Sequence, residues 1–210
     1  MSRRRAAARS LASWTGTLGA GAILGVASRL GDDLVGGWAW IANIGGPWLV
    51  AAFVLGTLAR SPRTAAAWGT LALLSAVGSY YTWIALVQDG AGRQHLGWLV
   101  ALWVVVGAGA GTAFGAAGWA WRTGPGPARL VGAGLLSSAL VGEAAVLLAG
   151  ESAGVQAVFL AELVVGGALP WALLRHPRDV AGSAVLAATF LPAAVVGTAA
   201  VMAAAARLAS

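Results

Sequence analysis

Two of the seven acidic residues in this 210-residue chain, Glu143 and Glu162, stand inside long apolar runs. A charged side chain at the centre of a bilayer costs about 2.5–3.5 kcal/mol on insertion scales, so a carboxyl kept there marks a candidate site. Each glutamate is about nine residues from the turn near Ser152 and Ala153 that joins the two runs. At ~1.5 Å of helical rise per residue, both sit at one depth, roughly 10 Å below the surface that carries the turn. No arginine shares that depth. Two facing carboxylates without a cation cannot both stay ionised, so either a proton is held there or something positive sits between them. Asn43, Tyr80 and Tyr81 fall in the same outer half of their runs. Together, Asn43, Tyr80, Tyr81, Glu143 and Glu162 are the candidate ligand-binding residues of an outward-opening polar pocket. Asp32 and Asp33 at its mouth would make it acidic and favour cationic or hydroxyl-rich ligands. The plainer alternative is a protonated glutamate bonding a neighbouring helix as packing glue.

Other chemistry is poorly supplied. The chain has no cysteine, which removes disulfides, thiolate catalysis, thiolate zinc sites and iron–sulfur clusters. His95 and His176 are far apart in expected loops, so no metal site is expected. Ser137 and Ser138 have no histidine at their depth to act as base. The glycine-rich stretch from Gly107 to Gly118 lies within an apolar helix and not between a strand and a helix, which argues against a phosphate loop. No catalytic residue and no cofactor is assigned, and the chain is not expected to be an enzyme.

The elements that must position these groups follow from composition. The chain is 59% hydrophobic and 10% charged, with mean hydropathy +0.81. A soluble domain carries about 25% charged residues, so an ordinary soluble fold and a nucleic-acid binder are excluded, despite a pI near 11.5. The apolar runs are continuous and lack the alternation of barrel strands, and a spanning helix needs about 20 such residues. The fold class is therefore all-α, a polytopic transmembrane helix bundle. A basic segment, 1–10, precedes one helical domain over 11–207. Seven spans are expected, at about 11–30, 34–59, 65–87, 97–121, 130–150, 155–174 and 180–205, with six as the alternative. The first is too long for a signal-peptide core and is taken as retained.

All 13 basic residues are arginine, and ten of them fall on one side of this seven-span arrangement. That side is the cytoplasm by the positive-inside rule, so the N-terminus is cytoplasmic and the C-terminus outside. The second span is interrupted by Asn43-Ile44-Gly45-Gly46-Pro47-Trp48, which predicts a broken helix. Nine tryptophans fit interfacial belts: Trp14, Trp68, Trp119, Trp121 and Trp171 on one side, and Trp38, Trp40, Trp83 and Trp98 on the other. Gly107, Gly111 and Gly115, and likewise Gly21 and Gly25, repeat at the spacing that lets helix backbones approach closely.

The order of several elements carries a resemblance. Asn43 to Trp48 with Phe53 and Gly56, then Gly78-Ser79-Tyr80-Tyr81, then Gly111 to Gly118 followed by Trp121-Arg122-Thr123-Gly124-Pro125, then Glu143, resemble an uncharacterised family of small multi-pass membrane proteins from high-GC Gram-positive bacteria. The resemblance covers about half the chain, departs from the family's pattern at Ser79, and implies an integral protein of the bacterial plasma membrane without assigning an activity. A second, more generic likeness is to the substrate-binding membrane subunits of energy-coupling-factor vitamin transporters, whose packing face Gly21 and Gly25 could mimic. The expected function is a small-molecule or ion binding or transport component. The alternatives are a structural or regulatory protein acting through helix–helix contacts, and an energy-coupling-factor-type subunit. The expected partners are the lipid bilayer and either a membrane-protein partner or a second copy, with no nucleic acid.

Overall fold

The computed structural model describes residues 3–34, 39, 44–87, 93–150 and 156–209. Among these, every regular element is an α-helix. The helices are α1 (Arg3–Gly31), α2 (Gly46–Leu58), α3 (Pro62–Val87), α4 (Arg93–Thr123), α5 (Gly126–Gly150), α6 (Gln156–Leu173) and α7 (Pro177–Ala209).

Proline and glycine set the joints. Pro62 and Pro177 open α3 and α7, where a missing N–H is no loss. Ser61 caps α3 by accepting from Thr64 N–H at 3.2 Å. Gly124 N–H donates to Ala120 O at 2.9 Å and closes the end of α4.

Among the described residues, five helices are long and apolar enough to cross a membrane: α3, most of α4 (Gly97–Thr123), most of α5 (Gly126–Ala149), α6 and most of α7 (Pro177–Leu208). This is a membrane protein by helix length and composition. Two of the seven expected spans stand apart from these five. In α1 the apolar run is diluted by Ser10, Ser13, Thr15, Thr17 and Ser28. In the second expected span, the one helix whose ends both lie among the described residues is Gly46–Leu58. Its 13 residues rise about 20 Å, short of a ~30 Å hydrocarbon core. The helix starts at the second glycine of the pair that the sequence marks as a break, with Gly45 as its N-cap.

Packing fixes helix directions. Gly21 and Gly25 of α1 lie against Ala72 and Ala76 of α3 in the same order, so these helices run parallel. Gly111 and Gly115 of α4 meet Gly69 and Ala65 of α3 in reverse order. Gly134 and Gly142 of α5 meet Ser183 and Ala194 of α7 in the same order. Ser137 Oγ donates to Gly166 O at 2.7 Å, pinning α6 antiparallel to α5. The start of α1 and the joints after α2, α4 and α6 therefore gather at one end of the bundle. Arg60, Arg63, Arg122, Arg129, Arg175 and Arg178 belong to those joints and their flanks. Arg122 Nη1 donates to Thr57 O at 2.9 Å there, and Trp121 Nε1 to Leu173 O at 3.0 Å.

The glycine stripe of α4 is divided between two uses. Gly111 and Gly115 take α3 at backbone contact, which only a residue without Cβ allows. Gly107 has ordinary contact with Leu73 and Val77, at 3.7 Å, and borders open space. The core joins Phe53 of α2, Leu73 of α3, Phe114 of α4, and Leu136 and Leu140 of α5. The helices α4 and α7 pack little against each other, although both flank α5.

Candidate functional site

The site begins at the broken helix. A helix N-terminus leaves backbone N–H groups without intrahelical partners, and inside a membrane these must find acceptors in the protein. Gly45 and Gly46 carry such groups at the start of α2, while Pro47 has none to offer. Glu143, reaching from α5, supplies the acceptor. Gly45 N–H donates to its Oε1, and the Gly46 backbone bonds the same carboxylate. The carboxylate also meets the positive end of the α2 dipole. Glu143 is 5% exposed.

The glycine pair is what permits the approach. A Cβ at Gly45 would stand 3.0 and 3.1 Å from the two Glu143 oxygens. A Cβ at Gly46 would overlap Glu162 Oε1 and stand 3.1 Å from Leu140 Cδ2. One backbone break therefore seats both buried glutamates, one against each glycine.

Glu162 on α6 is 7% exposed and lies beside Glu143. Neither of its oxygens receives a hydrogen from a protein donor among the described residues. The Glu143 carboxyl is close enough to bond it. Two carboxylates are acceptors only, so that bond exists only with a proton between them.

A cavity of about 530 Å³ adjoins the pair. Its facing walls are α4, through Trp103 and Phe114, and α7, through Phe190. Trp48 of α2 adds a third aromatic surface. The lining is mainly apolar, and its polar side chains are Glu143, Tyr80, Tyr81, Ser138 and Thr198. The helices α4 and α7, which both line the cavity, pack little against each other.

The sequence-derived residues divide accordingly. Glu143, Tyr80 and Tyr81 line the cavity, whereas Glu162 lies behind Glu143 and outside the lining. Asn43 is outside the described residues. The expected acidic mouth is corrected. Arg29, 6% exposed, reaches Asp33 Oδ1 at 3.0 Å and Asp32 Oδ2 at 3.9 Å, which offsets part of that charge. Tyr80 Oη donates to Asp32 Oδ2 at 2.6 Å, so Tyr80 is tied to this cluster and not to the glutamates. The Tyr80 and Tyr81 rings meet edge to face, 5.1 Å apart.

The hydroxyls of Ser137 and Ser138 donate to Gly166 O and Leu135 O, at 2.7 and 2.9 Å. No group of three or more potential metal-ligating side chains occurs among the described residues. Sequence reasoning missed the aromatic walls. The available signal was Trp48 and Trp103, two indoles that fall outside both interfacial belts. It also missed that the Gly45-Gly46 backbone is what the buried acids touch, although both features were in view separately.

A family model matches residues 4–207. The chain belongs to DUF6518, a family of unknown function. Neither a curated protein nor a solved structure matches it. Membership in DUF6518 covers the broken helix, the glutamate pair and all the cavity walls, since these lie between Ile44 and Met202. The family supplies no activity, so the chemistry rests on the geometry above.

Proposed function

We propose that this protein is a multi-pass component of the bacterial plasma membrane that binds a small, lipid-soluble cation. The chain crosses seven times with its arginine-rich end in the cytoplasm, and the site lies in the outer half of the membrane. The observation that carries the reading is the cavity of about 530 Å³, walled in part by aromatic rings, with one buried carboxyl, Glu143, in its lining. Small-molecule sites are concave, mostly apolar spaces of about 300–1,000 Å³ with a few placed polar groups. Trp48 and Trp103 offer ring faces to a cation, and Glu143 offers the counter-charge. The mainly apolar lining suits a lipid-soluble ligand.

Two observations weigh against the rivals. Gly21 and Gly25, the face that would dock an energy-coupling partner, are covered by α3 within the same chain. Gly111 and Gly115 are likewise covered by α3. The role is therefore binding or transport and not catalysis, and Ser137 and Ser138 have their hydroxyls committed to carbonyls.

The test is binding of tetraphenylphosphonium to the detergent-purified full chain, read by calorimetry and by the rise in apparent stability that a native-state ligand gives. Ala139 lines the cavity, and Ala139→Trp should fill it and abolish binding while the helical circular dichroism is kept. Equal binding by a folded Ala139→Trp variant, or no binding by the wild type, overturns the reading.

A further inference from the structure

We infer that Glu143 and Glu162 form an exchangeable proton site, in which the proton held between them is released when a cation enters the cavity. The orphaned oxygens of Glu162 carry the argument. They are buried, no donor among the described residues reaches them, and another carboxyl lies beside them. A buried charge is retained only where it is paired or hydrogen-bonded. The two members of the pair differ in that respect. Glu143 accepts from the Gly45 and Gly46 backbone at the positive end of α2, so it keeps the charge. Glu162 has no such support and keeps the proton, donating it to Glu143.

Among the described residues, the surroundings provide no other compensation. From α2 come the two backbone groups and no charge. From α6 comes Glu162 alone. The α7 residues near Glu143, including Ala194 and Thr198, are uncharged, as are the α4 residues on the cavity wall. From α3, Tyr80 and Tyr81 face the cavity, and Tyr80 is already held by Asp32 within the Arg29 cluster.

The exchange balances. With one proton the pair carries a single negative charge. A univalent cation beside Glu143 replaces the proton, which leaves to solvent, and the total charge of the site is unchanged. Fewer protons are bound with the cation than without it, so affinity for the cation falls as pH falls. This inference rests on the cation-binding reading, and its test separates the two.

The full chain is titrated with tetraphenylphosphonium in weak buffer containing a pH indicator, and Kd is measured across a pH series. The expected result is release of about one proton per cation bound, with Kd rising about tenfold for each unit of falling pH where exchange is complete. An infrared carbonyl band of a protonated carboxyl should be present without the cation and lost with it. Glu162→Gln should still bind the cation, release no proton and lose the pH dependence. Binding without proton release in the wild type, or undiminished release from Glu162→Gln, overturns the proton site and leaves the cavity reading standing. Absence of binding by the wild type overturns both. The proton-release and pH measurements on the wild type need no variant, so a poorly folded variant does not protect the inference.

Discussion

Replacing Glu143 with leucine should unfold the site from the α2 end, and the size of the effect follows from counting donors. Glu143 accepts from the backbone at Gly45 and Gly46. A buried donor left without a partner costs about 1–3 kcal/mol, so the loss of two predicts about 2–6 kcal/mol of destabilisation. Glu143→Gln keeps an amide oxygen for those N–H groups and loses only the attraction of charge to the helix end, about 0.3–2 kcal/mol. Glu162→Leu provides the contrast. Its oxygens receive no donor among the described residues, and losing the one bond it donates to Glu143 leaves no buried N–H unpaired, so its removal should cost no more than about 1 kcal/mol. The expected order of destabilisation is Glu143→Leu first, then Glu143→Gln, then Glu162→Leu. Denaturant titration in detergent micelles reads the order. Amide hydrogen exchange over residues 44–50 reads the location, and exchange there should accelerate in Glu143→Leu before the rest of the bundle responds. The reasoning fails if Glu162→Leu is as damaging as Glu143→Leu, or if the leucine and glutamine variants of Glu143 are equally stable.

Two further outcomes follow from the packing. Within the α4 stripe, Gly111→Ala should destabilise by about 1–3 kcal/mol, since its Cβ would stand 2.6 Å from Gly69 C and from Thr70 Cα and backbone cannot yield cheaply. Gly107→Ala meets nothing nearer than 3.7 Å and should be neutral or gain up to about 1 kcal/mol in helix propensity, so equal effects at the two positions would refute the assignment. Reporter tags on the two ends in living cells should report opposite compartments, because α1 and α7 each begin at the same end of the bundle; a shared compartment would refute seven crossings.

The long apolar runs were legible because lipid leaves the backbone one inexpensive solution, and α3 to α7 fall close to the expected ranges. The common depth of Glu143 and Glu162 was legible for a similar reason: residues equidistant from a hairpin turn must lie level, and the Ser137–Gly166 bond shows the register. The extent of α2 was not legible. Gly45-Gly46-Pro47 announces a break, but how much chain on each side stays helical depends on which acceptors the neighbours provide. The acceptor, Glu143, lies 98 positions away in the chain. The pairing of Arg29 with Asp32 and Asp33 was missed although it is local, at i+3 and i+4, because Arg29 fell at the end of the first expected span and the two aspartates beyond it. The aromatic walls of the cavity were missed because they come from separate helices, α2, α4 and α7, and no residue pattern marks which of their faces share one space.

A carboxylate that caps a helix is normally fully used by the cap, which would leave Glu143 nothing for a ligand. The geometry avoids that conflict. An ionised carboxylate has two oxygens and about four acceptor sites, and the Gly45 and Gly46 donors use about half of them. The remaining capacity faces Glu162 on one side and the cavity on the other. A cation in the cavity therefore competes with the Glu162 proton and not with the N-terminus of α2. The break in the second span and the site are one device on this account. The half-helix fixes the charge on Glu143 by holding two N–H groups against it, and the fixed charge makes the neighbouring proton the movable member of the set. Were α2 continued as helix through Gly45, its first N–H groups would bond to its own carbonyls. Glu143 would then lose the donors that hold its charge, and two equivalent buried acids would remain, with nothing to decide which one faces the cavity ionised.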